Sequence, residues 1–192
     1  MDEKPTIRLT KTSHVHTYCE MWDASESLLS KGRSDAEGSF YQFMGSLVFT
    51  AFSLEAYFNH IGPDVLESWK AMERRSPKNR LTALADELGI EIDFETRPWQ
   101  IIEDLFGFRN KLAHGKTVKV QEDVVVPFEG YFRYFFEGFV ETDWEKFCTQ
   151  ENAEWAREDV EQVIRTLHAV SDPGEDPFIG GMQETKANFE GE

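Results

Sequence analysis

The chain has 192 residues, with 36 acidic side chains against 20 basic ones, a formal net charge of -16 and 40% hydrophobic residues that include 16 Phe and 5 Trp. That length suits one compact domain with an appendage, and the apolar content excludes wholesale disorder. The two cysteines, Cys19 and Cys148, exclude a disulfide scaffold and a four-cysteine zinc site, and the overall acidity excludes a simple basic-patch DNA binder.

In chain order, the polar N-terminus (Met1-Asp2-Glu3-Lys4-Pro5) lacks the apolar stretch of a signal peptide. His14 to Ser30 reads as a helix, with Val15, Tyr18, Cys19, Trp22, Leu28 and Leu29 at helical spacing and Gly32 as its stop. His14-Val-His16 has no further ligand at metal spacing and reads as ordinary N-terminal chain. Ser39 to Ile61 reads as the central helix, stopped by Gly62-Pro63. Its uncharged span, Phe40 to Leu54, is 15 residues long, short of the roughly 20 a membrane helix needs. Asp64 to Met72 continues as a short helix. Pro77 to Leu88 follows, with Ser76 as N-cap and Gly89 as C-cap. Pro98 to His114 is a third punctuated helix, ended by Gly115.

Thr117 to Phe128 breaks the helical pattern, because Val118 and Val120 alternate with lysines before Val124 to Val126, as in a short β-hairpin or an extended loop. Tyr131, Phe132, Tyr134, Phe135, Phe136 and Phe139 form an aromatic stripe. With Glu129, Glu137 and Glu141 around it and only Arg133 beside it, core or dimer contact is the better reading over base stacking. Thr142 to Ala169 reads as a helical pair or one long helix. From Ser171 onward, prolines, glycines and acids without apolar periodicity read as a flexible acidic tail. The sum is an all-α bundle of about five to seven helices, with an extended or β-hairpin insertion near 117–128. Residues 1–170 form one domain and 171–192 a tail.

The charge is unevenly spread: -5 over residues 1–69, +2 over 70–119 and -13 over 120–192. The middle of the chain is therefore able to meet an anion. Within it, Phe108-Arg109-Asn110-Lys111-Leu112-Ala113-His114-Gly115-Lys116 gathers one guanidinium, two ammoniums and an imidazole with no acid until Glu122. Arg offers a planar, permanently charged fork for phosphate oxygens, and His exchanges protons near neutral pH. These are the parts of a general acid–base cleavage of a phosphodiester. At about 100° per residue, Arg109 and His114 point roughly 140° apart on an unbroken helix, whereas Asn110 and His114 share a face. Convergence of Arg109 and His114 therefore requires unwinding at Gly115 or a second subunit across a two-fold axis. The bland alternative is that His and Lys simply favour a helix C-terminus through its dipole.

Arg109-Asn110-x-x-x-His114 resembles the R-x(4–6)-H signature of HEPN domains, including the polar residue after the Arg. The apolar central helix with Ser53-Leu54-Glu55-Ala56-Tyr57-Phe58-Asn59 resembles that family too. The resemblance implies a dimeric helical bundle, often a metal-independent endoribonuclease in which a 2′-hydroxyl attacks the adjacent phosphate. It implies His114 as the proton-transfer group, Arg109 as the phosphate and transition-state binder, and Asn110 as a residue orienting the imidazole or contacting phosphate. It also implies toxin or phage-defence roles, pairing with an antitoxin, or non-catalytic interaction.

Glu55 is costly to bury unpaired, so it reads either as the partner of Arg109 or as a structural ion pair with another base. Arg74, Arg75, Lys78 and Arg80 form the densest basic cluster, either a solvated turn or a surface steering RNA. Lys111 and Lys116 join them as candidate RNA contacts. His60 and His168 read as lone histidines. No phosphate-loop, dinucleotide or serine-hydrolase motif occurs. The expectation is a cytoplasmic, homodimeric, HEPN-like ribonuclease that needs no cofactor or metal and acts on RNA, off the membrane. The alternative is a non-catalytic module whose acidic C-terminal third docks a protein partner.

Overall fold

The computed structural model describes residues 6–35, 37–137 and 140–190. Strand β1 (Thr6–Ser13) is followed by α1 (Thr17–Ser34), α2 (Ser39–Val65), α3 (Trp69–Met72), α4 (Pro77–Leu88) and α5 (Ile101–Ala113). After an irregular passage come α6 (Tyr131–Glu137), α7 (Asp143–Phe147), α8 (Gln150–Ser171) and β2 (Gln183–Glu190). The all-α bundle is thus observed. Among the described residues it has eight α-helices, the number rising above the sequence reading because α3, α6 and α7 are short.

The bundle is built around α2, where Leu47, Ala51, Leu54, Tyr57 and Phe58 are fully buried. α1 lies along it, burying Tyr18, Cys19, Trp22, Ser25 and Leu29 at three- and four-residue spacings. Hydroxyls seal this seam: Ser25 Oγ donates to the Ser46 carbonyl (3.0 Å) and meets Thr50 Oγ1 (2.7 Å), while Ser53 Oγ donates to the Tyr18 carbonyl (2.8 Å). Each buried hydroxyl is thereby satisfied inside an otherwise apolar interface. α8 packs on α2, burying Ala153, Ala156, Val160, Val163, Ile164 and Leu167, and α4 and α5 pack against both α2 and α8.

Local capping explains most boundaries. The Ser76 hydroxyl accepts the Asn79 amide (3.3 Å) with Pro77 in the first turn, and Gly89 ends α4 at φ +69. Thr142 and Glu145 form a reciprocal capping box on α7, and Thr149 caps α8 through the Asn152 amide (3.1 Å). The segment Thr142–Ala169 is therefore a helical pair broken at Cys148-Thr149. Both cysteines are buried, and burial pushes the Cys148 thiol up to about 12. At Gly62-Pro63 the structure departs from the sequence reading, since α2 runs on to Val65. Pro63 removes one amide donor, yet the turn persists, held by the Leu66 amide on the Gly62 carbonyl (2.8 Å). Gly62 is needed there because the Trp69 indole lies against its Cα, where a Cβ would sit 2.2 Å from the ring.

One of the two alternatives for the insertion is observed, and one further expectation is corrected. Residues 117–127 adopt the extended option without strand pairing, and the two-stranded sheet lies elsewhere. There β1 pairs antiparallel with β2 in the register Thr6↔Glu190 to Ser13↔Gln183. The C-terminal stretch read as a flexible tail carries β2 and, before it, a docked segment. Phe178 stacks on Trp22 with centroids 4.6 Å apart, and Cys19 Sγ donates to the Pro177 carbonyl at 3.6 Å. Composition missed this because the pairing partner is at the far end of the chain. Among the described residues no helix is long and apolar enough to cross a membrane.

Gly62→Ala is expected to destabilise the fold by about 1–3 kcal/mol, as overpacking against the Trp69 ring forces a shift. Gly107→Ala, where a Cβ meets open space within α5, is expected to stabilise by about 0.5–1 kcal/mol. Urea unfolding followed by tryptophan fluorescence measures both, and the same sign for the two would refute this packing account.

Candidate functional site

Three helices meet at one carboxylate. From α5, the Arg109 guanidinium donates through Nη2 to Glu55 Oε2 on α2, and through Nη1 to Asn110 Oδ1 at 2.9 Å. From α4, Arg80 Nη2 reaches Glu55 Oε1 at 2.5 Å while its Nη1 donates to Asn59 Oδ1 at 3.2 Å. The guanidiniums sit near aromatic faces: Arg109 is 5.8 Å from the Phe52 ring centre and 5.6 Å from that of Phe106, and Arg80 is 5.9 Å from that of Phe58. Both arginine Nε atoms are buried without a hydrogen-bond partner. One negative charge thus faces two positive ones, leaving a surplus of one. Arg80 is 2% exposed and Arg109 18%, so the surplus reaches solvent through Arg109.

The sharper reading of Glu55, as the partner of Arg109, is therefore observed, and so is a structural pairing with another base. Arg80, read as an RNA contact, is corrected. It is turned inward because Glu55 and Asn59 on α2 supply the acceptors that a buried guanidinium requires. Lys78 is also committed, ion-paired to Glu103 and lying 4.4 Å from the centre of the Phe94 ring. Arg74 and Arg75 are exposed on the turn after α3, and Asn110, Lys111, His114 and Lys116 are exposed at the end of α5.

His114 is the first residue past α5. Its amide still donates to the Asn110 carbonyl (3.0 Å), but its φ and ψ of -115 and 22 leave the helix. Its side chain faces a cavity of about 610 Å³ bounded by the end of α5, the extended chain 116–121 and the start of α7. Arg109 does not line that cavity; it faces α2. The unwinding at His114 therefore does not bring the two residues together within one chain, and the geometric separation expected on a helix persists. Reasoning from sequence missed Lys119, Trp144 and Lys146, which also line the cavity. The only local sign was the alternation of Val118 and Val120 with lysines.

Elsewhere, His16 begins α1 with its ring 5.6 Å from that of Tyr18 and 4.9 Å from that of His60. Burial lowers the His60 pKa below its ordinary value. His168 is buried, its Nδ1 3.3 Å from the Tyr57 hydroxyl. Among the described residues no three His, Cys, Asp or Glu side chains converge as metal ligands. The aromatic stripe is not core, because Tyr131, Phe132, Tyr134, Phe135 and Phe136 are all exposed, while Phe139 lies outside the described residues. In comparisons with known proteins, the chain matches no family model, no curated protein and no solved structure.

Glu55→Gln is expected to cost about 3 kcal/mol, since it leaves two guanidiniums without their carboxylate. Arg109→Gln is expected to cost about 1 kcal/mol, because Glu55 keeps Arg80. Equal losses for the two variants in urea unfolding would show that Glu55 is not shared in this way.

Proposed function

We propose that this chain is a HEPN-like RNA-cleaving protein whose site is completed by a second copy across a two-fold axis. The observation that carries this reading is the state of Arg109. It is held in one orientation by Glu55 and Asn110, retains surplus positive charge and stays partly exposed. A proton-transfer residue, His114, stands exposed just past the end of the same helix. A preorganised cation of this kind stabilises the charge that develops on a phosphate in the transition state.

In this reaction the RNA 2′-oxygen forms a bond to the adjacent phosphorus while the bond to the 5′-oxygen breaks, yielding a 2′,3′-cyclic phosphate and a 5′-hydroxyl. The 2′-hydroxyl gives up its proton and the 5′-oxygen gains one, transfers assigned to His114. Arg109 binds the non-bridging oxygens. A pair of copies offers each phosphate an Arg from one chain and a His from the other, which meets the separation of the two residues within one chain. Toxin or defence activity, with an antitoxin-like protein masking the site, fits an enzyme that attacks cellular RNA.

One observation favours a second, non-catalytic reading: Arg109 is engaged by Glu55 and faces away from the His114 cavity, as a purely structural strut would. Incubation of purified protein with labelled RNA in chelator separates the two readings. The parent is expected to release products ending in 2′,3′-cyclic phosphate. His114→Ala is expected to lower the rate by about 100-fold or more while leaving the folded structure intact. Absence of cleavage by the parent, across varied single-stranded RNAs and at concentrations where it is dimeric, selects the binding module.

A further inference from the structure

In a chain this acidic, basic side chains readily find carboxylates, and several on the helical body do, although Lys70, Arg74 and Arg75 have no ion-pair partner among the described residues. Arg33 pairs with Glu154 (2.8 Å), Arg97 with Asp159 (2.7 Å), Arg157 with Glu26 (3.0 Å) and Arg165 with Glu161 (2.8 Å). The cavity beside His114 is different. Lys111, Lys116, Lys119 and Lys146 line it, and among the described residues none of the four has an ion-pair partner. Among the described residues Glu141 and Asp143 are the acids of its lining, which on that count carries a net +2 in a protein of net -16. Four ammoniums against two carboxylates leave a positive excess in the lining, a repulsion that an anionic ligand relieves.

The rest of the lining narrows the ligand. Val118, Val120 and the partly buried Trp144 make one wall apolar, and Trp144 is held from behind by Phe40 at a centroid separation of 6.4 Å. A volume of about 610 Å³ falls within the range of roughly 300–1,000 Å³ typical of small-molecule sites. An aromatic wall beside a ring of ammoniums is the arrangement that holds a base by its face and its phosphates by charge.

We propose that this cavity is a nucleotide subsite for single-stranded RNA, with one unpaired base against Trp144 and the flanking phosphates on Lys111, Lys116, Lys119 and Lys146. The inference rests on the ribonuclease reading only in naming RNA as the ligand. The subsite delivers the backbone to His114, at the cavity's edge, and selects single strands, because a base paired in a duplex cannot turn its face to the indole.

The test uses a fluorescein-labelled single-stranded 2′-O-methyl oligonucleotide, which lacks the attacking hydroxyl and so reports binding without cleavage. Anisotropy titrations over a range of salt are expected to show binding that weakens as salt rises. The combined Lys119→Ser, Lys146→Ser variant is expected to lose about tenfold or more in affinity and to reduce the salt slope by about 0.7 per lysine. Trp144→Phe, which keeps an aromatic face, is expected to bind more tightly than Trp144→Leu at equal folded fraction. Lys11→Ser with Lys70→Ser, exposed and outside the cavity, is expected to bind as the parent does. Failure of the parent to bind, or binding unchanged by the lysine substitutions, overturns the subsite. So does equal competition by a duplex or by polyglutamate, which would make the cavity a general polyanion surface. Binding without any RNA cleavage would retain the subsite and defeat the ribonuclease reading; cleavage that survives the lysine substitutions with unchanged binding would do the reverse.

Discussion

Glu55 is the carboxylate on which Arg80 and Arg109 converge, and it links α2, α4 and α5. Arg80 reaches it from α4 and Arg109 from α5, each near phenylalanine rings, with Arg80 buried and Arg109 partly open to solvent. The same arrangement sets the local electrostatics. A single acid cannot neutralise two bases, so a positive charge remains, and the depth of Arg80 assigns its outward share to Arg109. Packing and charge at this junction are therefore one device. The pair that fixes the angle between helices also fixes the direction of the cation.

Charge elsewhere follows a similar division of labour. On the helical body several basic residues are spent on carboxylates, which ties α1 to α8 through Arg33 and Arg157 and anchors the segment before α5 through Arg97. Beside the end of α5 four lysines stay without an ion-pair partner among the described residues, two of them on helices (Lys111 and Lys146) and two on the chain between (Lys116 and Lys119), where Glu141 and Asp143 are the acids of the lining. Local positive potential in a strongly acidic protein thus arises from where pairing stops rather than from an excess of basic residues. Such a site attracts anions at short range, while the acidic remainder repels long, indiscriminate contacts with nucleic acid.

Several features were legible in the sequence for plain local reasons. Ser76, Pro77 and Gly89 bound α4 because a hydroxyl, a fixed φ and a left-handed turn act within a few residues. The apolar central helix and the helix ending at His114 were readable from their periodicity. The role of Arg80 was not, because four basic residues in the stretch 74–80 look alike until their faces are assigned. Arg80 lies beside Leu81 on the buried side of α4, where Asn59 and Glu55 await it. The aromatic stripe of α6 misled in the opposite sense, since aromatic content argues for burial while its rings stand exposed. The C-terminal stretch was unreadable because β2 is defined by its partner, β1, at the other end of the chain.

The sequence by itself determined the helical class, the principal helix boundaries, the acidic bias and the cluster Arg109, Asn110 and His114 at one helix end. Each of these follows from periodicity, capping chemistry or charge within a window of a few residues. Only the tertiary structure decided which base Glu55 holds and that it holds two. It also decided that lysines from three separate segments face one cavity with Trp144. Those outcomes depend on distances between residues far apart in the chain, which are set by how α2, α4, α5 and α7 pack and by no local preference.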